Sequence, residues 1–315
     1  MSKIDPARFD DYVKTCRTTE FATPFDLAYM AFVDLGYNKK DPSFFRQSAS
    51  FFVETMRTQC WEEYVPLERE FSVRMLKALI DEEKVSHMNP VDAIEDFVMA
   101  YPEQIYKLSL SNTQSRRSRA GKEFEAILEL LMIGADVSVD AQGSIGKSTF
   151  SKKDLGKLVD FISPGVTQYI INKRNTVLVS AKTTLRERWQ EVPEEVTRTG
   201  IREMYLATLD DAITKESLNI MYEANVIVAT TEVNKAEHYS YIGSNVVSFE
   251  ELLVTMTEAA DKWNNYKYTS EDIELMKKYL RSQSSKHEKH PYVKNYYLNR
   301  LATLGSGEGG RIHLR

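Results

Sequence analysis

Two cysteines in 315 residues, Cys16 and Cys60, are too few for a disulfide framework or a four-ligand zinc site. They read as reduced, structurally ordinary thiols. Long apolar runs are also missing. No stretch approaches the roughly 18–20 residues that a membrane-spanning helix needs, and the opening MSKIDPARFDDYVK has no apolar signal-peptide core. The expectation is a cytoplasmic chain with no membrane partner. No internal repeat is visible. With 41 Lys or Arg against 46 Asp or Glu, the formal charge of −5 argues against a protein that coats nucleic acid indiscriminately.

What is present is ample core material: 42% hydrophobic and 28% charged residues, near the usual globular mixture. The length allows two domains, or one large domain with an appendage. Charge is unevenly spread. Residues 114–188 hold thirteen Lys or Arg against eight Asp or Glu, a local +5, which leaves −10 for the remainder. A basic middle between acidic flanks fits an anionic ligand bound at one place, or a solvated basic face.

From Pro6 to about Leu110 the apolar residues recur at three- and four-residue spacing, which predicts an all-helical region. Pro24, Pro42, Pro66 and Pro90 stand where first turns would begin. A polar stretch, SNTQSRRSRAGK, leads into the amphipathic helix EFEAILELLMIGA, ended by Gly134. The period then changes. DVSVDA, KLVDFIS, TQYIINKR and NTVLVSAKT are short and rich in β-branched residues, so they read as strands. A helix from about Glu194 to Asp210 follows, then strands NVIVAT and VVSF, and a helix through EELLVTMTEAADKW. This gives an α/β fold with four regions: 1–110 helical; 111–268 a sheet-containing core; 269–304 a helical C-terminal segment; 305–315 a flexible tail or a cloning remnant.

AQGSIGKS, ending in Gly146, Lys147 and Ser148, satisfies a relaxed phosphate-binding-loop spacing. Such a loop needs a helix directly behind it to hold the phosphates, and here a strand is expected soon after. A hairpin turn is the better reading. A stronger pattern joins Asp160, at the end of an apolar stretch, to Lys182 on the next strand, VLVSAK. Alternate residues of a strand share a face, so Ser180 and Lys182 point the same way and Lys182 can approach Asp160. A structural ion pair would explain that much. Glu125 on the preceding helix and Glu195 on the following one are placed to converge on the same sheet edge, and several carboxylates beside one lysine call for a divalent cation. Hard oxygen ligands suit Mg²⁺.

An acid on one strand, followed on the next by Ser180-Ala181-Lys182 and then Glu195, resembles nucleases of the PD-(D/E)xK superfamily. Ser180 stands where the acid of the acid-x-Lys triplet belongs, and Glu195 would supply the missing carboxylate. That migrated-acid arrangement is similar to Type II restriction endonucleases of the SsoII and EcoRII group, which cut at CCNGG. The resemblance implies a central mixed sheet flanked by helices, in the order αβββαβ, behind an all-helical N-terminal region. It further implies Mg²⁺ as cofactor, double-stranded DNA as partner, and a homodimer to match a palindromic site.

Several site residues follow from the same resemblance. Asp160, Lys182, Glu195 and Glu125 would be catalytic, with Asp160 and Glu195 on the metal. Thr183 to Trp189 carry Arg186, Glu187 and Arg188. An Arg donates two bonds to guanine and a Glu accepts from cytosine N4, so Arg186 and Arg188 would read the two guanines and Glu187 the cytosines. Gln114 would touch the minor groove. Arg57, Trp61 and Tyr64 fall at i, i+4 and i+7 and would line a pocket for an extruded central base; core packing is the alternative for that helix face. Cleavage before the first cytosine would leave five-nucleotide 5′ ends. The competing class is a non-catalytic sequence-specific DNA-binding regulator, which leaves Asp160, Lys182 and Glu195 without a purpose. A DNA-repair or recombination nuclease would share the chemistry but give no discrete banding pattern.

Overall fold

A computed structural model describes residues 4–146, 159–185, 193, 196–197, 200–239 and 245–306, with backbone alone at 305–306. The N-terminal part is helical: α1 Phe9–Glu20, α2 Pro24–Asp34, α3 Pro42–Gln47, α4 Ala49–Lys77, α5 Glu82–Val85, α6 Pro90–Ala100 and α7 Pro102–Gly134. Pro24, Pro42 and Pro90 occupy first turns, behind side-chain caps from Thr23, Asp41 and Asn89. A missing N–H costs nothing there.

Pro66 does not start a helix; it lies inside α4. The helix continues because buried residues on both sides of the proline, Cys60 and Tyr64 before it, Glu68 and Phe71 after it, hold the two halves to neighbouring elements. The polar SNTQSRRSRAGK likewise lies within α7, unbroken. Asn112 donates to Ser72 Oγ at 2.8 Å and Arg116 pairs with Glu68, so polar contacts to α4 replace the apolar stripe.

Among the described residues six strands follow: β1 Asp140–Ala141, β2 Phe161–Ser163, β3 Val177–Lys182, β4 Met204–Thr208, β5 Val226–Thr230 and β6 Val246–Ser248. They form one sheet in chain order, antiparallel from β1 to β3 and parallel from β3 to β6. Among the described residues the further helices are α8 Gln142–Ile145, α9 Val166–Ile171, α10 Lys215–Glu223, α11 Glu232–His238, α12 Phe249–Asp261, α13 Ser270–Lys286 and α14 Pro291–Ser306.

Beyond α7 four further expectations change. Only two residues of DVSVDA form strand, because the preceding carbonyls of Val137 and Val139 are taken by Tyr296 and Arg300 of α14. TQYIINKR is helical at its start, where the Asp140 carboxylate accepts from Val166 N–H at 2.8 Å and the helix buries Val166 and Tyr169 on one side. The run read as helix to Asp210 contains β4, whose five residues are all buried between β3 and β5. Central parallel strands are covered on both faces and show no alternation, so MYLAT offers no strand period. Gln142–Ile145 is one helical turn and no hairpin loop, with Gly146 at φ +104°; Lys147 and Ser148 lie outside the described residues.

Strand parity sorts the core into two layers. Phe161, Val179, Ala181, Tyr205 and Ala207 pack with α2, α4, α7 and α12, while Ile162, Leu178, Leu206 and Val228 pack with Tyr169, Leu218 and Met221. Asp160 shares the parity of Ile162, and Ser180 and Lys182 share that of Leu178. Among the described residues no helix is long and apolar enough to cross a membrane.

Candidate active site and nucleic-acid interface

Asp160 enters β2 under backbone constraint from both neighbours. Its N–H donates to Val179 O at 2.9 Å, and its carbonyl accepts from Gln142 N–H at 2.8 Å. Asp160 is buried, and its carboxylate accepts the Ala181 N–H at 2.7 Å through Oδ2. Lys182 Nζ lies 3.9 Å from that same oxygen. The register Phe161↔Val179 places Ser180 across from Asp160, and the Ser180 hydroxyl is fully buried without a hydrogen-bond partner among the described residues.

Buried hydroxyls rarely stay unpaired, so an orphan oxygen facing a carboxylate marks a spot where a further polar group belongs. Carboxylate and hydroxyl oxygens are hard donors that suit Mg²⁺, and the residues present fit such an ion. Among the described residues no cluster of three His, Cys, Asp or Glu forms a ready metal cage; Glu195 lies outside them. Glu125 of α7 lines the same cavity as Asp160, a space of about 700 Å³.

Arg186, Glu187 and Arg188 also lie outside the described residues, but the chain leading into them is held. Leu185 N–H donates to Asp210 Oδ2 at 2.6 Å, while Asp210 N–H donates to Thr208 Oγ1 at the end of β4. Asp210 was not singled out from sequence, where it reads as the end of a helix; the strand before it turns the carboxylate back toward β3.

Arg57, Trp61 and Tyr64 come together on α4 around a pocket of about 240 Å³, with Arg116, Arg117, Arg119 and Glu123 of α7 on the other side. The three differ in character. Trp61 is half exposed, whereas Tyr64 is buried and donates its hydroxyl to Glu68 at 2.9 Å. Arg119 caps the Tyr64 ring at 4.8 Å, and Arg57 sits 3.3 Å from the Glu123 carboxylate. Burial pushes the Glu123 carboxyl up, opposed by Arg57 and Arg119. Glu123 carried no signal in the sequence, since it reads as one more charge on an amphipathic helix. Gln114 is exposed on α7, beside a separate hollow lined by Lys14, Arg17 and Lys107.

An acid and a lysine facing each other across an antiparallel pair, within a mixed sheet backed by helices, define a restriction-endonuclease-like nuclease fold. The EcoRII C-terminal family matches residues 81–253. The chain is 55% identical over 305 residues to the Type II restriction enzyme SsoII of Shigella sonnei, covering 96% of this chain and 99% of that one. Metal-depleted Ecl18kI in complex with uncleaved DNA superposes with a TM-score of 0.89 at 54% identity, over 95% of this chain and all of that one. The restriction endonuclease PspGI in its substrate DNA complex gives 0.57 at 17% identity, over 78% and 95% of the two chains, a likeness of fold alone. The chain therefore belongs to the SsoII/EcoRII-like group of Type II restriction endonucleases. Enzymes of this class are generally metal-dependent.

Proposed function

We propose that the protein hydrolyses double-stranded DNA at CCNGG as a homodimer, with Mg²⁺, cutting before the first cytosine and extruding the central base pair. The observation that carries the reading is Lys182 beside Asp160, on a carboxylate fixed by the Ala181 N–H. Asp160, Glu195 and Glu125 would hold the ion. When bound, Mg²⁺ supplies Lewis-acid charge against the developing phosphorane.

Lys182 meets a nonbridging oxygen of the scissile phosphate and orients the attacking water. Asp160 holds Lys182 by charge at a separation too long for a hydrogen bond, so the ammonium can turn to the phosphate. Arg186 and Arg188 read the guanines, Glu187 the cytosines, and Gln114 the minor groove. Arg57 and Trp61 sandwich the extruded base, and Tyr64 backs the pocket as a packed wall. Residues 1–110 thus serve DNA contact and base extrusion, and 111–268 the chemistry, followed by the helical segment 269–304.

Incubating plasmid with the protein and Mg²⁺, against an EDTA control, and mapping the ends tests site, position and cofactor together. Discrete fragments with five-nucleotide 5′ ends are expected. Selective binding without cutting would favour the regulator class, and unbanded degradation a repair nuclease.

A further inference from the structure

The cavity that holds Asp160 has a second wall, which the proposed chemistry leaves unused: the turn between α13 and α14. That turn is pinned from behind by two buried imidazoles. His287 Nε2 lies 2.7 Å from Ser144 Oγ, which donates to the buried Glu129 at 2.7 Å. His290 Nε2 lies 2.9 Å from Asp26 at the start of α2, and the two Nδ1 atoms are 3.1 Å apart. Contacts to α2, α7 and α8 thus fix a turn at the molecular surface.

In front, the turn brings Lys286 and Lys289 to the cavity, joined by Lys122 of α7, one turn before Glu125. All three lysines are exposed, and among the described residues none has a carboxylate partner. Lys286 donates to the Gly143 carbonyl at 2.5 Å, which orients its ammonium without neutralising it. The cavity's carboxylates Asp26, Glu129 and Glu288 are engaged by Thr23 and His290, by Ser144 and Tyr297, and by Lys294; three ammonium groups from two fixed elements, without an ion pair among the described residues, thus stand at the mouth of a cavity floored by Asp160 and match a run of anionic oxygens. Lysine binds phosphate as a point charge and carries no base code.

We propose that Lys286, Lys289 and Lys122 form a backbone-phosphate site for the strand being cut, gripping the phosphates that flank the scissile one. This rests on the reading that Asp160 and Lys182 address that phosphate. The C-terminal hairpin then has a task in substrate binding, and the duplex is held on both sides of the bond that breaks.

The test compares wild type with K286A/K289A in binding to a duplex with one site, in EDTA, from 50 to 200 mM salt. Each phosphate contact contributes about 0.9 to the slope of log affinity against log salt. Across that range wild type should lose about tenfold more affinity than the double variant, from the same relation, with site selectivity unchanged. Methylphosphonates at the flanking phosphates should weaken wild type and leave the variant unaffected, which separates a local contact from long-range charge. Equal salt slopes, or equal weakening of both proteins by the methylphosphonates, overturns the proposal. A wild type that binds the site but leaves it uncut in Mg²⁺ would instead overturn the nuclease-substrate reading, so the two failures are distinguishable.

Discussion

Lys182 Nζ and Asp160 Oδ2 stand 3.9 Å apart across the β2–β3 seam, and the same oxygen accepts the backbone N–H of Ala181. The carboxylate is therefore set by the main chain, while the ammonium is only attracted to it. An ammonium tightly bonded to its own carboxylate would have to break that bond to reach a phosphate. Here it does not.

Removing either partner should separate chemistry from recognition. D160A and K182A are each expected to lower the cleavage rate by about 10²–10⁴-fold, the range for losing a group that stabilises or transfers charge in a transition state. Gel-shift affinity for the site should persist. Variants that lose site binding but still cut would refute the assignment.

The proposed function gives base reading to Glu187 between two arginines. E187A should cost about 1–3 kcal/mol of discrimination at the cytosines, measured as relative affinity over duplexes with single substitutions in the site. A selectivity profile identical to wild type would remove Glu187 from readout.

Trp61 should contribute through its exposed ring. W61A is expected to weaken site binding by about 1–3 kcal/mol, the usual worth of one base–aromatic stack. It should also abolish the fluorescence change of a 2-aminopurine placed at the central position. Retention of that signal in W61A would place the extruded base elsewhere.

Acid should loosen the hairpin behind the cavity. Burial lowers the His290 pKa, although Asp26 opposes it, so the folded protein resists a proton that the unfolded chain accepts. Stability is then lost as pH falls below about 6.5, the ordinary imidazole value. Burial works against the Glu129 and Asp26 carboxylates, but donors from His287, Ser144 and Tyr297, and from Thr23 and His290, hold both below the usual range. Their contribution is present above the ordinary carboxyl pKa and fades as pH drops through the folded one. Urea unfolding from pH 8 to 5 should show wild type losing more stability than H290Q; parallel curves would count against this account.

Gly134 ends α7 against the Phe45 ring, where an added Cβ would lie 2.6 Å from a ring carbon. Phe45 is fully buried, so the ring has nowhere to move. G134A should lose about 1–3 kcal/mol as an overpacked core does. G121A, in open space on the same helix, should gain up to about 1 kcal/mol from helix propensity. Chemical denaturation of the two side by side reads the contrast.

Local chemistry made part of this legible. VLVSAK is β-branched and bounded by turn residues, so β3 and the shared face of Ser180 and Lys182 follow from alternation. MYLAT and VTQYII misled for the same reason in opposite directions. Met, Leu and Ala favour helix in isolation, yet Met204–Thr208 is clamped between two parallel strands. Val, Thr and Ile favour strand, yet the Asp140 carboxylate caps Val166 and starts a helix.

By itself, the order of residues determined which groups are available: an acid, a serine and a lysine at strand spacing, a basic middle, and an aromatic face on α4. Tertiary structure decided their company. It brought Glu123 to Arg57, Asp210 to Leu185 and the α13–α14 turn to the Asp160 cavity, contacts that span 66, 25 and more than 120 positions of chain. A local pattern encodes the face a side chain takes within its own element. Which distant side chain it meets there is fixed only when the core closes and the elements pack.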